Sequence, residues 1–382
     1  MSTQTPVPTS TKNKIAYIDN LKVLLIILVV LHHTFITYGA PGGWYYFQKT
    51  TSEGAKIPMT WFVATNQAFF MGFFFFLSAL FVPSSYDKKG PARFIKDRLL
   101  RLGIPMLFYT FVLGPFMNYL VYYFGKGQHI TLMQYLSGYD DWIDFGVLWF
   151  AAALLLFTLL YVVWRMIFDK LPQRDRPFPG TSTILLFAVG LGVLSFLVRI
   201  IFPIGWILKP VGFQLGHFPQ YIVLFILGLI ASRSNWLNTL DYRQGKKMAI
   251  IAASVVILVF PVFYVLLTWL KFPSSYFSGG LHWPSLLYSM WEQMAGVTIM
   301  TALFCIGKQL LNKSSAFQSR LSRSAFAVYI FHPLVLISLS LAVRDWAIEP
   351  ALKLLVVAPL AVAGSFLLGS VIVLIPGVRR IV

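Results

Sequence analysis

Long apolar segments separated by short polar stretches dominate the chain from residue 18 onward. About twenty apolar residues suffice for a helix to cross a bilayer, and about ten segments approach that length. We predict helices near 20–38, 61–83, 103–124, 145–168, 181–203, 218–232, 247–270, 284–307, 324–343 and 353–376. The sixth is short and could begin earlier, near Gly216. The pattern predicts an all-α integral membrane protein, a bundle of about ten transmembrane helices.

Composition supports this class. Of the 382 residues, 58% are hydrophobic and 12% are charged, and the mean hydropathy is +0.73, which excludes a soluble globule with a polar shell. The net charge of +18 comes from basic residues in short loops, which indicates lipid headgroups and topology rather than nucleic acid. The single cysteine, Cys305, lies in an apolar segment, so a disulfide framework is excluded.

The loop charges predict an orientation. Most of the 31 lysine and arginine residues lie in alternate loops, near 88–101, 165–176, 233–247 and 308–323, and at the two ends of the chain. By the positive-inside rule, both termini are expected in the cytoplasm. We therefore divide the chain into a polar cytoplasmic tail (1–16), a ten-helix membrane domain (17–376) and a short cytoplasmic tail (377–382).

The first apolar segment, IDNLKVLLIILVVLHHTFITYG, contains ionisable residues that are expensive in hydrocarbon. Lys22 and His33 are eleven residues apart, which in a helix is three turns plus about 20°, with a rise of about 16.5 Å. They therefore share one face. Asp19 falls within about 60° of that face, whereas His32 is rotated about 80° away. Alternatively, Lys22 is a snorkelling topology anchor and His33 only bridges helices.

A second basic feature is expected on the same side of the membrane. Arg98 and Arg101 lie three residues apart at the entrance to the predicted third helix, so their side chains are neighbours. Two guanidinium groups in this arrangement can bind phosphate oxygens in a bidentate manner. The alternative is ordinary positive-inside anchoring.

These residues occur in a recognisable order. Asp19-Asn20-Leu21-Lys22 precedes His33 by ten residues, Arg98-Leu-Leu-Arg101 follows, and Trp291-Glu292-Gln293 and Ser324-Ala-Phe-Ala-Val-Tyr329-Ile-Phe-His332-Pro333 lie in late helices. The set resembles acyltransferase family 3, membrane O-acyltransferases that modify surface polysaccharides. The residues DNLK of the first segment are similar to those of the glucan-biosynthesis branch, which succinylates periplasmic glucans. Most members have arginine where this chain has Lys22, and lysine lacks the bidentate fork.

The resemblance implies a reaction and its partners. A cytosolic acyl-coenzyme A, acetyl or succinyl, would supply the acyl group, and a hydroxyl of an extracytoplasmic carbohydrate would accept it in the cell's inner membrane. Lys22, Arg98 and Arg101 would hold the donor's phosphates, and the pantetheine arm would reach His33. We expect no permanently bound cofactor, no metal and no nucleic acid. We also expect contact with membrane lipids, and the question of whether the protein forms a homo-oligomer stays open.

A sugar hydroxyl is a weak nucleophile, so the reaction needs a base, and we assign His33. A carboxylate would orient the imidazole, and Glu292, at a similar predicted depth in the eighth helix, is our candidate; the alternative is that Glu292 belongs to a polar network between helices. Asp19 is too far down the first helix and is expected to pair with Lys22. Tyr329 and His332 could line the same channel, or His332 could have a role at a proline kink.

Two rival functions stay open. In a proton-coupled secondary transporter or lipid-linked sugar flippase, Lys22, His33 and Glu292 would form a proton relay. The chain shows no internal repeat and no pair of helices broken by glycine or proline, which argues against this class. The second rival function is that of an assembly subunit without catalytic activity. Aromatic residues in the outer loops, as in GAPGGWYYF and GYDDWID, suit sugar rings but also suit an interfacial belt.

Overall fold

A computed structural model of the protein describes residues 15–168, 172–273, 275–313 and 315–381. Over these residues the chain is helical apart from its connecting loops and isolated β-bridges. The predicted cytoplasmic tail up to residue 14 and the last residue, 382, lie outside the described part. The all-α fold class is confirmed, whereas the cytoplasmic position of both termini stays a prediction.

Within the described part, nine helices are long and apolar enough to cross a membrane. They are α1 (Ala16–Tyr38), α2 (Glu53–Lys89), α3 (Pro91–Gly125), α4 (Gly146–Ile167), α5 (Thr181–Ile201), α6 (Leu215–Ser232), α7 (Tyr242–Leu266), α9 (Ala316–Ala342) and α10 (Pro350–Ile372). The sixth predicted helix therefore begins earlier than 218. Helices α2 and α3 begin well before residues 61 and 103, so Arg98 and Arg101 lie inside α3 and not at its entrance.

The remaining predicted span is α8 (Trp283–Leu310), a continuous helix of 28 residues. Its length suffices for a crossing, but buried polar residues make it less apolar than the other nine; among them are Ser285, Ser289, Glu292, Gln293 and Thr298. Its partners explain this composition, because α8 packs against α5, α7 and α1 within the bundle. The polar side chains of α8 therefore face protein, where Ser289, Glu292 and Gln293 contact partners on neighbouring helices.

Helix α1 runs through the interior of the bundle. It packs against α8, α9 and α10 and, elsewhere on its surface, against α2. It is a single uninterrupted helix from Ala16 to Tyr38, so the predicted separation of Lys22 and His33 by three turns on one face holds. Two of the side chains between them on that face, Ile26 and Val29, are buried.

Several helices are irregular, contrary to the expectation from the sequence. Helix α2 consists of the segments Glu53–Gln67, Phe70–Ala79 and Val82–Lys89. Helix α3 contains π-helical turns at Leu99–Gly103, Tyr109–Leu113 and Val121–Gly125, and α7 contains one at Val255–Val259. Three of these turns are followed within two residues by a proline, at Pro105, Pro115 and Pro261. Proline has no N–H for the helical ladder, so the pattern of hydrogen bonds shifts there.

The interruption in α2 is stabilised by contacts from α6 and α8. The carbonyl of Ala68 accepts a hydrogen bond of 2.7 Å from Nε2 of Gln220, which also donates to Oε1 of Gln293 at 2.8 Å. Gly296 of α8 lies directly against the same carbonyl, and any side chain there would collide with it. These contacts satisfy a backbone group that the break would otherwise leave buried and unpaired.

Candidate active site

Three aromatic rings from three parts of the chain stack together beside α1. The rings of His33 and Trp44 have centroids 4.0 Å apart, and those of His33 and His332 are 5.4 Å apart, with interplanar angles of 18° and 19°. Trp44 also lies 6.0 Å from His332. The side chain of His332 is fully buried, and those of His33 and Trp44 are half-buried. The structure thus brings the predicted site residues His33 and His332 together. It also places Trp44, which was not a predicted site residue, against His33.

The loop between α1 and α2 positions Trp44. Its backbone is tied to the end of α1, since the N–H groups of Gln48 and Thr50 donate to the carbonyls of Thr37 and Tyr38, each at 2.9 Å. The loop turns back at Pro41, Gly42 and Gly43, which are exposed. Trp44 is therefore held over His33 by backbone hydrogen bonds on the far side of the turn.

Tyr45 anchors the same loop from the other side. Its hydroxyl lies 2.7 Å from the hydroxyl of Tyr109 in α3. Gly146 adopts φ +46°, and a β-carbon there would collide with both hydroxyls, so this pair requires glycine at that position. Burial raises the pKa of Tyr45, so its hydroxyl keeps its proton and can donate.

Three polar atoms in the stacked cluster are buried and have no hydrogen-bond partner among the described residues: Nδ1 of His33, Nε2 of His332 and Nε1 of Trp44. Buried polar groups are nearly always paired in folded proteins, and a catalytic role is one of the reasons why such a group has no partner. The cluster therefore presents two imidazoles and an indole N–H that are available to a polar ligand.

His32, the neighbour of His33, points elsewhere. Its Nδ1 lies 3.3 Å from the side-chain amide of Asn66, and its ring stacks on Phe70 with a centroid distance of 4.9 Å. The side chain of His32 is buried against α2. The side chains of the two adjacent histidines therefore point into different surroundings, because consecutive residues of an α-helix are rotated by about 100°.

The predicted contact between Glu292 and His33 is wrong. The carboxylate of Glu292 forms a buried ion pair with Arg199 of α5 and lies 3.4 Å from Nδ1 of His217. Arg199 also donates to the carbonyl of Gly216 at 3.0 Å and to the hydroxyl of Ser289 at 3.0 Å. A buried carboxylate is stable only when it is paired, and Arg199 supplies the charge. Glu292 therefore belongs to a polar network between helices, the alternative that the sequence left open.

The basic residues lie toward the other end of α1. Nζ of Lys22 is 4.9 Å from the centre of the Phe81 ring, and Lys22 is within electrostatic range of Asp19 and Arg98. Arg98 is half-buried and stacks on Phe94, whereas Arg101 is exposed. The structure thus brings Lys22, Asp19 and Arg98 together. The π-helical turn that begins at Leu99 separates Arg101 from Arg98 more than a regular α-helix would.

Tyr329 does not offer a free hydroxyl to the site. Its ring lies 6.4 Å from that of His332, but its hydroxyl donates to the carbonyl of Val147 at the start of α4. Its side chain therefore connects α9 to α4 and supports the wall behind His332.

Sequence reasoning missed Trp44, Arg199 and His217. Trp44 lies in the segment GAPGGWYYF, for which an interfacial position was the simpler interpretation, and His217 lies just before the predicted start of the sixth helix at residue 218. Arg199 near the end of an apolar helix carried a usable signal, because a buried arginine in a membrane helix requires an acid, and Glu292 is one of few acids in the late helices.

No cluster of three or more histidine, cysteine, aspartate or glutamate residues that could hold a metal occurs in the described ranges. At the stacked rings, this chain's own residues offer proton transfer and hydrogen bonding, and they place cationic groups at the other end of α1.

The chain resembles known proteins along most of its length. A family model described as an acyltransferase domain matches residues 15–370. Glucans biosynthesis protein C of Escherichia coli O17:K52:H18 is 24% identical over 334 residues, which cover 84% of this chain and 82% of that protein. The proteins of the same name from Escherichia coli O6:K15:H31 and Escherichia coli O157:H7 give the same values. No solved structure matches the chain.

Proposed function

The chain belongs to the acyltransferase family whose model it matches, and we propose that it transfers an acetyl or succinyl group from cytosolic acyl-coenzyme A to a hydroxyl of an extracytoplasmic glycan. Family membership supports a membrane acyltransferase. The observation that carries the finer proposal is the stacked cluster of His33, His332 and Trp44, in which three buried polar atoms have no partner among the described residues.

His33 is the proposed general base. The hydroxyl oxygen of the acceptor attacks the thioester carbonyl while the imidazole of His33 takes the hydroxyl proton. The carbon–sulfur bond then breaks, the new ester is released, and the proton passes from the imidazolium to the thiolate of coenzyme A. Such proton transfer contributes about 10²–10⁴-fold to the rate.

The donor is proposed to bind at the other end of α1. Lys22 and Arg98 lie within electrostatic range of each other, and both can contact phosphate oxygens. Arg101 is exposed nearby and would contribute from the surface. A pantetheine arm reaching from this end to His33 would span the rise of about 16.5 Å between the two residues.

The acceptor is proposed to approach across an aromatic surface formed by Tyr135, Tyr139 and Trp142. The rings of Tyr135 and Tyr139 are 5.7 Å apart, and those of Tyr139 and Trp142 are 5.1 Å apart. Aromatic faces suit the apolar faces of sugars. The name of the relatives, glucans biosynthesis protein C, supports a glucan as the acceptor.

This reaction implies a multi-pass protein of the inner membrane, with donor and acceptor on opposite sides and no permanently bound cofactor. One observation favours the rival class of proton-coupled transporters or flippases. Helix α2 is interrupted, and the buried network of Arg199, Glu292 and His217 could carry protons. The two classes differ in whether a thioester is consumed.

The test is purified protein in proteoliposomes with radiolabelled acetyl-coenzyme A or succinyl-coenzyme A and a soluble glucan. We expect thioester consumption matched by labelled glucan, and loss of both with His33→Ala. A protein that moves protons or lipid-linked sugar across the bilayer without consuming either thioester would contradict the proposal and establish the transporter.

A further inference from the structure

Pro333 leaves one backbone carbonyl in α9 without its usual partner. It lies inside the helix Ala316–Ala342, and because proline has no N–H, the carbonyl four residues earlier loses its helical donor. That carbonyl belongs to Tyr329. Nδ1 of His332, the residue immediately before the proline, lies 2.9 Å from it. The local sequence thus provides both the free acceptor and its new donor.

This hydrogen bond determines which nitrogen of His332 carries the proton. A carbonyl oxygen can only accept, so Nδ1 of His332 must donate and must bear the hydrogen. In the neutral imidazole, Nε2 is then left with its lone pair. Nε2 of His332 is buried and has no hydrogen-bond partner among the described residues. His332 therefore presents a hydrogen-bond acceptor to its surroundings.

The neighbouring ring carries the complementary group. Nδ1 of His33 is also buried without a partner in the described part of the chain, and the two rings lie 5.4 Å apart. For Nε2 of His33 to act as a base, its Nδ1 must carry the hydrogen. Glu292 is bound to Arg199 and does not serve as the acceptor for that hydrogen.

We propose that His332 is the positioning residue of His33. With substrate present, one ring turns so that Nδ1–H of His33 donates to Nε2 of His332, whose own Nδ1–H donates to the carbonyl of Tyr329. This chain keeps the lone pair of His33 on Nε2 and stabilises the imidazolium after it takes the hydroxyl proton. Catalytic hydrogen bonds commonly tighten only when substrate binds. The inference rests on the proposed function. It assigns to His332 the role of orienting His33 that the sequence analysis gave to the carboxylate of Glu292.

The kinetic test uses two substitutions and their combination. His332→Phe keeps a flat ring against His33 and Trp44 but removes both nitrogens, and we expect kcat to fall about 10²-fold with little change in KM. Pro333→Ala returns a backbone N–H to the carbonyl of Tyr329 and releases Nδ1 of His332. It should lower kcat about tenfold in the otherwise unchanged protein, and not at all in the His332→Phe background. Equal losses in both backgrounds would overturn the proposal, because the proline would then act through the shape of the helix.

Pro359→Ala is the matched control, since Pro359 also lies inside a helix, α10, and should leave kcat unchanged. A readout independent of activity comes from ¹⁵N-histidine spectra of the protein in nanodiscs, with the His332 signal assigned by its loss in His332→Phe. We expect the Nδ1–H tautomer, and its loss in Pro333→Ala. An Nε2–H tautomer in the unchanged protein would overturn the positioning role alone, whereas absence of any transfer would overturn the proposed function as well.

Discussion

The imidazole rings of His33 and His332 lie 5.4 Å apart at an interplanar angle of 19°, although 299 positions separate them in the chain. One comes from the central helix α1 and the other precedes a proline in α9. Both present a buried nitrogen without a partner among the described residues. This relationship makes the C-terminal half of α1 the centre of the candidate site and leads to four predictions.

The two adjacent histidines should differ in function. His33→Ala should lower the transfer rate by about 10²–10⁴-fold, because it removes the proposed base. His32→Ala should retain much of the activity, since His32 contacts Asn66 and Phe70. Transfer of label from acyl-coenzyme A to glucan measures both rates in protein checked for folding by gel filtration. Equal losses would contradict the assignment of the two faces.

The two arginines of α3 should also differ. Arg98 is half-buried and near Lys22, whereas Arg101 is exposed. Arg98→Ala should raise the Kd for coenzyme A about tenfold or more, since a charged hydrogen bond contributes about 1.5–3 kcal/mol, and Arg101→Ala should raise it less. Calorimetry at two salt concentrations measures both, and the dependence on salt should be weaker in Arg98→Ala. An unchanged affinity for coenzyme A in both variants would contradict this role and favour the alternative, in which the arginines only anchor the topology of the protein.

The face of α1 between Lys22 and His33 should accommodate the arm of the donor. Val29 is buried and lies about 20° from the direction of Lys22, two turns along the helix. Val29→Phe should block the arm, so that coenzyme A still binds but transfer falls sharply.

Ile27→Phe is the control, because Ile27 is rotated about 140° from Lys22 and is only half-buried. It should leave transfer near the original rate. Calorimetry and the transfer assay separate binding from reaction, and Tm measurements detect overpacking, which typically costs about 1–3 kcal/mol. Similar transfer by both variants would rule out an arm along this face.

Glu292 and Arg199 should behave as a structural pair. Glu292→Met leaves the guanidinium of Arg199 buried without its carboxylate, and breaking such a pair costs about 3–5 kcal/mol. The Tm in detergent should fall accordingly. The double variant Glu292→Met/Arg199→Met should regain much of the stability, because two apolar side chains replace the charges.

Transfer by the double variant tests the remaining catalytic role of Glu292. If the pair only holds α5 against α8, activity should return together with the Tm. A stable double variant that transfers no label would instead show that at least one of the two charged groups takes part in the reaction.

The sequence by itself determined those features that depend on neighbours along the chain. Apolar segments of membrane-spanning length predicted the helices, because backbone groups in lipid must be paired within the helix. The shared face of Lys22 and His33 follows from helix periodicity alone, and the unbroken α1 preserves it. The contact between Nδ1 of His332 and the carbonyl of Tyr329 is likewise local, since both residues and Pro333 lie within about one turn, although only the structure showed it.

Only the tertiary structure decided which distant groups meet. Helical spacing predicts that Glu292 lies at a depth similar to that of His33, but depth does not specify direction, and Glu292 of α8 pairs with Arg199 of α5. Trp44 reaches His33 because the loop after α1 folds back and is tied by backbone hydrogen bonds. Such contacts depend on how helices pack and loops close, so neither hydropathy nor helical spacing could predict them.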